Sequence, residues 1–296
     1  MSAMTVLQLI VSGITVGAIY ALLGLGFVTI FRSSGVVNFA QGEFTMLGGL
    51  LTFYLLKTVS LPYLGAVIVA ILVTALIGIA MYQIVIAPLG RAPLLSMVMV
   101  TVGASLFIQN TALLVWGPDA VRLPGISGDA PIRLGDVAIL PQSPWVLLIA
   151  AVILAVLYLL NNHTLMGKAM TATATDPLAA SLVGVSTGGM VRLSFAISAG
   201  VGALAGIALA PIVPINFIFG ALLGMKGLSA LILGGWGKAT GAVIGGIALG
   251  LIETFGASVL PAGYKDAIAF LILIAILYFR PSGILGSPEE GEFRMR

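Results

Sequence analysis

Long apolar stretches, each closed by one or two charged or turn-forming positions, run the length of this 296-residue chain. Residues 1–31, 58–90, 92–118, 137–162 and 193–225 contain no Asp, Glu, Lys or Arg. Each exceeds the roughly 20 apolar residues that cross a bilayer as a helix. The pattern predicts spans at about 5–31, 36–57, 62–87, 93–116, 143–161, 190–213, 221–236, 239–260 and 266–280. The seventh is short and opens GALLGMKG, as a half-helix or re-entrant segment would. The expected fold is therefore all-α and polytopic, with eight to nine transmembrane segments in a single domain, 1–296.

The stretch from Gly17 to Gly49 departs most from plain hydrophobicity. An apolar segment stops at Arg32, turns at Ser33-Ser34-Gly35 and re-enters with Asn38, Gln41 and Glu43 in what reads as the first turns of the second span. Polar groups in lipid cost several kcal/mol unless partnered or facing water. Three so close together mark a lining surface or a tight protein contact.

Composition narrows the class. Hydrophobic residues make up 60% and charged residues 8%, against about 25% charged in soluble domains, and mean hydropathy is +1.19. No hydrophilic block is long enough for a soluble nucleotide-binding domain. The net charge of +3 comes from juxtamembrane Lys and Arg and does not point to nucleic acid. There is no cysteine, which excludes disulfides and thiolate metal sites. The first ten residues lack the basic start of a cleaved signal peptide, so the first apolar run is expected to stay in the mature protein.

Lys and Arg set an expected orientation, since cytoplasmic loops are enriched in them. With the N-terminus outside, Arg32, Arg91, Lys168, Arg192, Lys238, Arg280, Arg294 and Arg296 fall inside, and Lys57, Arg122, Arg133, Lys226 and Lys265 outside. The outer loop 117–142 also carries Asp119, Asp129 and Asp136. It reads as a solvated connector, the alternatives being a small hairpin, suggested by Val121/Leu123 and Ile132/Leu134, or a segment lying over the outer mouth. The loop 162–189 is then cytoplasmic. Within it Asp176-Pro177 reads as an N-cap with Pro at the first helical position, and Gly184 suits the left-handed residue that ends a helix. The short helix between presents the small residues Ala179, Ala180 and Ser181. It suits docking into a partner's groove better than lying on headgroups.

Small-xxx-small pairs at Gly13/Gly17, Gly202/Gly206, Gly220/Gly224, Gly241/Gly245 and Gly246/Gly250 predict close helix packing. Asn38-Phe39-x-x-Gly42 is echoed by Asn216-Phe217-x-x-Gly220, as corresponding interrupted helices of transporter halves often are. Three ionisable residues fall within spans. Glu43, about two turns in, reads either as snorkelling to the interface or as part of a pathway. Glu253, near mid-span, reads as a structural ion pair with Lys226 in preference to a proton site. Thr101, Ser105 and Gln109 share a helical face by four-residue spacing and, with Asn110 and Thr111, suit a hydrated stripe or interhelical hydrogen bonds. The candidate pathway set is Asn38, Gln41, Glu43, Thr101, Ser105, Gln109 and Asn216. His163 reads as a solvated loop residue. No HExxH, GxSxG, Walker A or acidic metal pattern occurs, so neither bond chemistry nor ATP hydrolysis is expected of this chain.

Tyr20-Ala21-Leu22, Gly26-Phe27, Val37-Asn38-Phe39-Ala40-Gln41-Gly42-Glu43 and Leu47-Gly48-Gly49 together resemble the N-terminal signature of LivH-type permeases, the membrane subunits of branched-chain amino acid ABC importers. The resemblance continues through Gly167-Lys168-Ala169, Asp176, Ala180, Leu182-Val183-Gly184, Gly224-Met225-Lys226, Leu233-Gly234-Gly235, Gly241-Ala242, Gly245-Gly246, Tyr264-Lys265-Asp266 and the run Arg280 to Gly286. It implies the fold of the branched-chain and simple-sugar permeases in the bacterial inner membrane. It further implies pairing with a second, related and non-identical permease, two cytoplasmic ATPases carrying ATP and Mg, and an extracytoplasmic binding protein. Pro177–Val183 would be the coupling helix, with Asp176, Pro177, Ala179, Ala180, Ser181 and Gly184 at the ATPase, and the pathway would lie between the two permeases. Thr171 stands where this family usually has a further basic residue. Because similar permeases serve urea, amides and aromatic or dicarboxylic acids, the solute is left at an amino acid or a similar small polar molecule. The expected mechanism is alternating access driven by ATP. The rivals are an ion-coupled secondary transporter or channel using Glu43 or Glu253 and, more remotely, an intramembrane enzyme.

Overall fold

The structure, a computed structural model, describes residues 3–90, 92–128, 130–134, 137–259, 265–280 and 282–286. Arg91, Asp129, Asp136, Tyr264, Arg294 and Arg296, used above for orientation or resemblance, lie outside the described residues.

Eleven helices follow the apolar runs among these residues: α1 Ala3–Ser34, α2 Gln41–Lys57, α3 Tyr63–Met81, α4 Leu94–Trp116, α5 Gln142–His163, α6 Leu165–Thr175, α7 Pro177–Leu182, α8 Thr187–Leu209, α9 Phe219–Gly234, α10 Ala239–Val259 and α11 Lys265–Phe279. A π turn, Tyr82–Ile86, and a 3-10 turn, Ala87–Leu89, prolong α3. Six of the helices are long and apolar enough to cross a bilayer: α1, α3 with its extension, α4, α5, α8 and α10. The remaining apolar helices α2, α9 and α11 are shorter, at 17, 16 and 15 residues.

The core is built around α1, which packs on α10, α8 and α9. Glycine makes this possible. At Gly17 a Cβ would lie 2.7 Å from Ile247 Cα, and at Gly250 it would lie 2.4 Å from Gly17 Cα. The Gly13/Gly17 and Gly246/Gly250 pairs therefore mesh, as their spacing predicts. Gly245 meets the Ala230 carbonyl and Gly206 the Thr45 carbonyl in the same way. The outer helices α3 and α4 instead expose Leu64, Leu72, Leu76, Leu95, Phe107 and Leu114, the reverse of a soluble fold and what a lipid environment requires.

Two expectations are corrected. Residues 36–40 are not helical, and the second span begins as helix only at Gln41. Gly35, at φ +68°, turns the chain back along α1 in a conformation glycine adopts without penalty. Gln41 packs at the level of Gly26, eight residues before the end of α1, so α2 starts about 12 Å inside the Arg32 end of that helix. The other correction concerns the loop after α4, which is more than a solvated connector. β1 Ile132–Leu134 and β2 Val137–Ile139 form an antiparallel hairpin. Upstream of it, Val121 bridges Ile215, Leu123 is buried and Arg122 Nε donates to the Pro211 carbonyl at 2.8 Å. The loop is thereby tied to the segment joining α8 to α9.

Candidate functional site

The breaks before α2 and α9 are built alike. Asn38 Oδ1 accepts from the Ala40 amide at 3.0 Å, and Asn216 Oδ1 accepts from the Ile218 amide at 3.2 Å. Each asparagine thus makes a local turn that launches a helix, the use to which short polar side chains are suited. The two helices then meet at the glycines of the repeated motif. A Cβ on Gly42 would lie 1.9 Å from the Gly220 carbonyl oxygen, and one on Gly220 would lie 2.3 Å from Glu43 Oε2. The echo in the sequence is therefore a contact in space, and this crossing lies in the interior. Gly42→Ala is expected to cost at least the roughly 1–3 kcal/mol of an overpacked core, because the obstructing atom is backbone. A fall in the detergent melting temperature checks it.

Glu43 lies in the first turn of α2 and is fully buried, which removes the reading of a side chain snorkelling to the interface. Its Oε1 accepts from Ser105 Oγ at 2.9 Å. Its Oε2, with Asn38 Nδ2 and Thr45 Oγ1, has no hydrogen-bond partner among the described residues. Thr101 Oγ1 donates to the Val98 carbonyl at 2.9 Å and accepts from the Phe39 amide at 3.3 Å, fastening the broken stretch to α4. Gln41 is held from the other side. Ser198 Oγ lies 2.7 Å from Gln41 Oε1 and 2.8 Å from the Gly26 carbonyl, and Gln41 Nε2 donates to the Ser198 carbonyl at 3.2 Å.

A cavity of about 180 Å³ opens between α4 and α9 beside this crossing, floored by Phe27 and Phe39 and edged by Ser105, Gln109, Gly224 and Met225. Of the sequence-selected residues Ser105 and Gln109 face it. Asn38, Gln41, Glu43 and Thr101 pack behind it, and Asn216 sits at the turn before α9. Asn110 and Thr111 lie on an exposed face and bond back to the Leu106 and Phe107 carbonyls of their own helix.

Lys226 and Glu253 are brought together. Lys226 Nζ lies 2.9 Å from Glu253 Oε1, and both residues are buried. Tyr20, which the residue-by-residue reading did not single out for this role, completes the group. Its hydroxyl donates to Glu253 Oε2 at 2.7 Å and accepts from Lys226 Nζ at 3.2 Å, and the Nζ stands 5.5 Å from the ring centroid. The three residues join α1, α9 and α10. Hydrogen bonding of both charges is the condition under which a buried pair is tolerated.

On the Arg32 side of the molecule, α7 carries the local signals expected of it. Asp176 Oδ1 accepts from the Leu178 and Ala179 amides at 2.9 and 3.0 Å. At the other end the Gly184 amide donates to the Ser181 carbonyl and the Val185 amide to the Ala180 carbonyl, each at 3.0 Å, with Gly184 at φ +88°. This is the Schellman ending that places glycine just past a helix. One expectation fails: Ala180 is buried and not presented. Ala179 and Ser181 are exposed as expected, and beside them stand Leu178, Leu182 and Val183 at 64%, 82% and 79% exposure. The four-residue spacing of Leu178 and Leu182 puts both on one face. A second cavity, of about 300 Å³, joins Thr173 and Pro177 to Ser33, Gly35 and Val36 at the start of the break and to Tyr82 in the π turn. Asp176→Ala is expected to cost roughly 1 kcal/mol of α7 stability. Faster hydrogen exchange at the Ala179 to Val183 amides checks it.

The fold and these sites define a polytopic helical membrane protein with interrupted helices. The chain matches, over residues 9–277, the family described as branched-chain amino acid transport system / permease component, and it belongs to that family. It is 33% identical to the high-affinity branched-chain amino acid transport system permease protein BraD of Pseudomonas aeruginosa, with 96% of each chain covered. It is 30% identical to LivH of Escherichia coli K12, again over 96% of each. A more distant match is the autoinducer 2 import system permease protein LsrC of Salmonella paratyphi B, 34% identical over 51% of this chain and 44% of that one. The chain is thus a membrane transport subunit, not an enzyme.

Proposed function

We propose that this chain is the permease of an ATP-driven importer for branched-chain or related amino acids in the bacterial inner membrane, with its N-terminus outside and α7 in the cytoplasm. The observation that carries the reading is α7 itself, a six-residue helix capped at both ends, on which Leu178, Leu182 and Val183 are exposed. Apolar side chains left exposed on a short helix outside the membrane spans suit a protein groove. The partner proposed is an ATPase, one of two, with a second related permease and an extracytoplasmic binding protein completing the assembly. ATP and Mg belong to the ATPases. The relatives named for branched-chain amino acids support the solute class.

The path proposed from energy to solute runs through elements that adjoin one another. Movement of α7 bears on Thr173 and Pro177, which share a cavity with the 33–36 segment where the chain turns back. That segment leads through Phe39, which floors the cavity edged by Ser105 and Gln109, into α2 and its crossing with α9. Displacing α7 therefore shifts one of the two interrupted helices against the other, which is the element an alternating-access cycle needs.

Purification in mild detergent from cells expressing the whole transport system tests the reading. The expected result is an ATPase recovered with the chain, and uptake in proteoliposomes that requires ATP and the binding protein. Uptake by the chain alone under an ion gradient, with no ATPase recovered, contradicts it.

A further inference from the structure

The cavity between α4 and α9 is walled by apolar groups, Phe27, Phe39, Val102, Leu106 and Leu228 among them, with a polar edge at Ser105 and Gln109. The edge has a polarity of its own. A serine hydroxyl has one proton and two lone pairs, and the Ser105 proton is directed at Glu43 Oε1. What Ser105 offers the cavity is therefore an acceptor. Behind it lies a fully buried acidic side chain whose second oxygen has no hydrogen-bond partner among the described residues. Lys226, the buried basic side chain among the described residues, is engaged elsewhere by Glu253. An acid buried without a basic partner is costly to charge, and a cation entering beside it supplies that partner; such intramembrane residues are functional sites by default.

We propose that Glu43, acting through Ser105, makes this cavity select for the cationic ammonium group of the solute, while the phenylalanine and leucine walls take its aliphatic body. Glu43 is then a positioning residue and Ser105 the contacting one. The identity of the solute rests on the function proposed above; the preference for a cation does not.

The chain has no cysteine, so Gln109→Cys in membranes containing the complete transport system provides a single reporter at the cavity edge. Its reaction rates with a trimethylammonium-ethyl and a sulfonato-ethyl methanethiosulfonate are compared, each normalised to a free thiol. The cationic reagent is expected to be favoured about ten-fold or more, since a unit charge within several ångströms in a protein attracts one sign and repels the other by more than RT. Glu43→Gln should abolish the preference and Glu43→Asp should restore most of it, which a merely structural hydrogen bond would not do. Equal normalised rates, or a preference that survives Glu43→Gln in folded protein, overturn the proposal. Protection of the cysteine by leucine but not by 4-methyl-2-oxopentanoate, which has no ammonium group, supports both proposals. A preference that depends on Glu43 without protection by leucine supports this one and counts against the amino acid reading.

Discussion

Lys226→Met is expected to leave little folded protein. The substitution strips the fully buried Glu253 of the Lys226 cation while the Tyr20 hydroxyl stays beside it. Removing one member of a buried pair costs about 3–5 kcal/mol, because the other charge stays in a low-dielectric interior without its counter-charge. That is a large share of the 5–15 kcal/mol by which folded proteins are stable. Replacing both partners, Lys226→Met with Glu253→Met, is expected to recover most of the loss, since apolar side chains of similar volume pack without a desolvation penalty. Thermal unfolding in detergent of the two single variants and the double variant measures the coupling. A double variant no more stable than Lys226→Met would show that the ion pair does not carry the link among α1, α9 and α10.

The second large effect is expected at α7. Leu178→Asp with Leu182→Asp places two charges on the apolar face while leaving the Asp176 cap and the Gly184 ending untouched. Anchoring side chains in a protein interface are worth about 2 kcal/mol or more each, so affinity for the ATPase should fall roughly thirty-fold per site. ATP-driven uptake is expected to be lost while the permease itself still folds and reaches the membrane. Ala180 is the wrong residue for this test. It is buried against the rest of the chain, and a bulky replacement there would disturb packing before it reported on docking.

The physical range of each signal explains what could be read before the structure. Segment positions and the caps of α7 were legible because they depend on hydropathy and on residues within four positions of one another. The glycine pairs announced close contacts, though not which helix each would meet. The break at 36–40 was hidden, because Val36, Val37 and Ala40 are as apolar as any helix interior and the chain is bent there by long-range contacts. Among these, Thr101 holds the Phe39 amide and Ser198 engages Gln41. The depth of Glu43 was misjudged for the same reason, since it was counted along a helix that does not start at residue 36. Lys226 and Glu253 were plausible partners by charge alone. Tyr20, 206 positions from Lys226, left no mark in the pattern because tyrosine is common in membrane helices. The inward turn of Ala180 was equally hidden, as a six-residue helix of small and apolar residues carries too little amphipathic contrast to orient itself.

A cysteine introduced at position 182, 82% exposed at the tip of α7, tests the central claim most directly in an otherwise cysteine-free chain. Intact cells are treated with a membrane-impermeant thiol reagent, and inverted membrane vesicles with a short thiol-to-amine cross-linker. The account predicts no labelling from outside, and a cross-link from inside to the ATPase that appears together with loss of ATP-driven uptake. Labelling of intact cells, or an inside cysteine that joins to no ATPase while uptake continues, would contradict it.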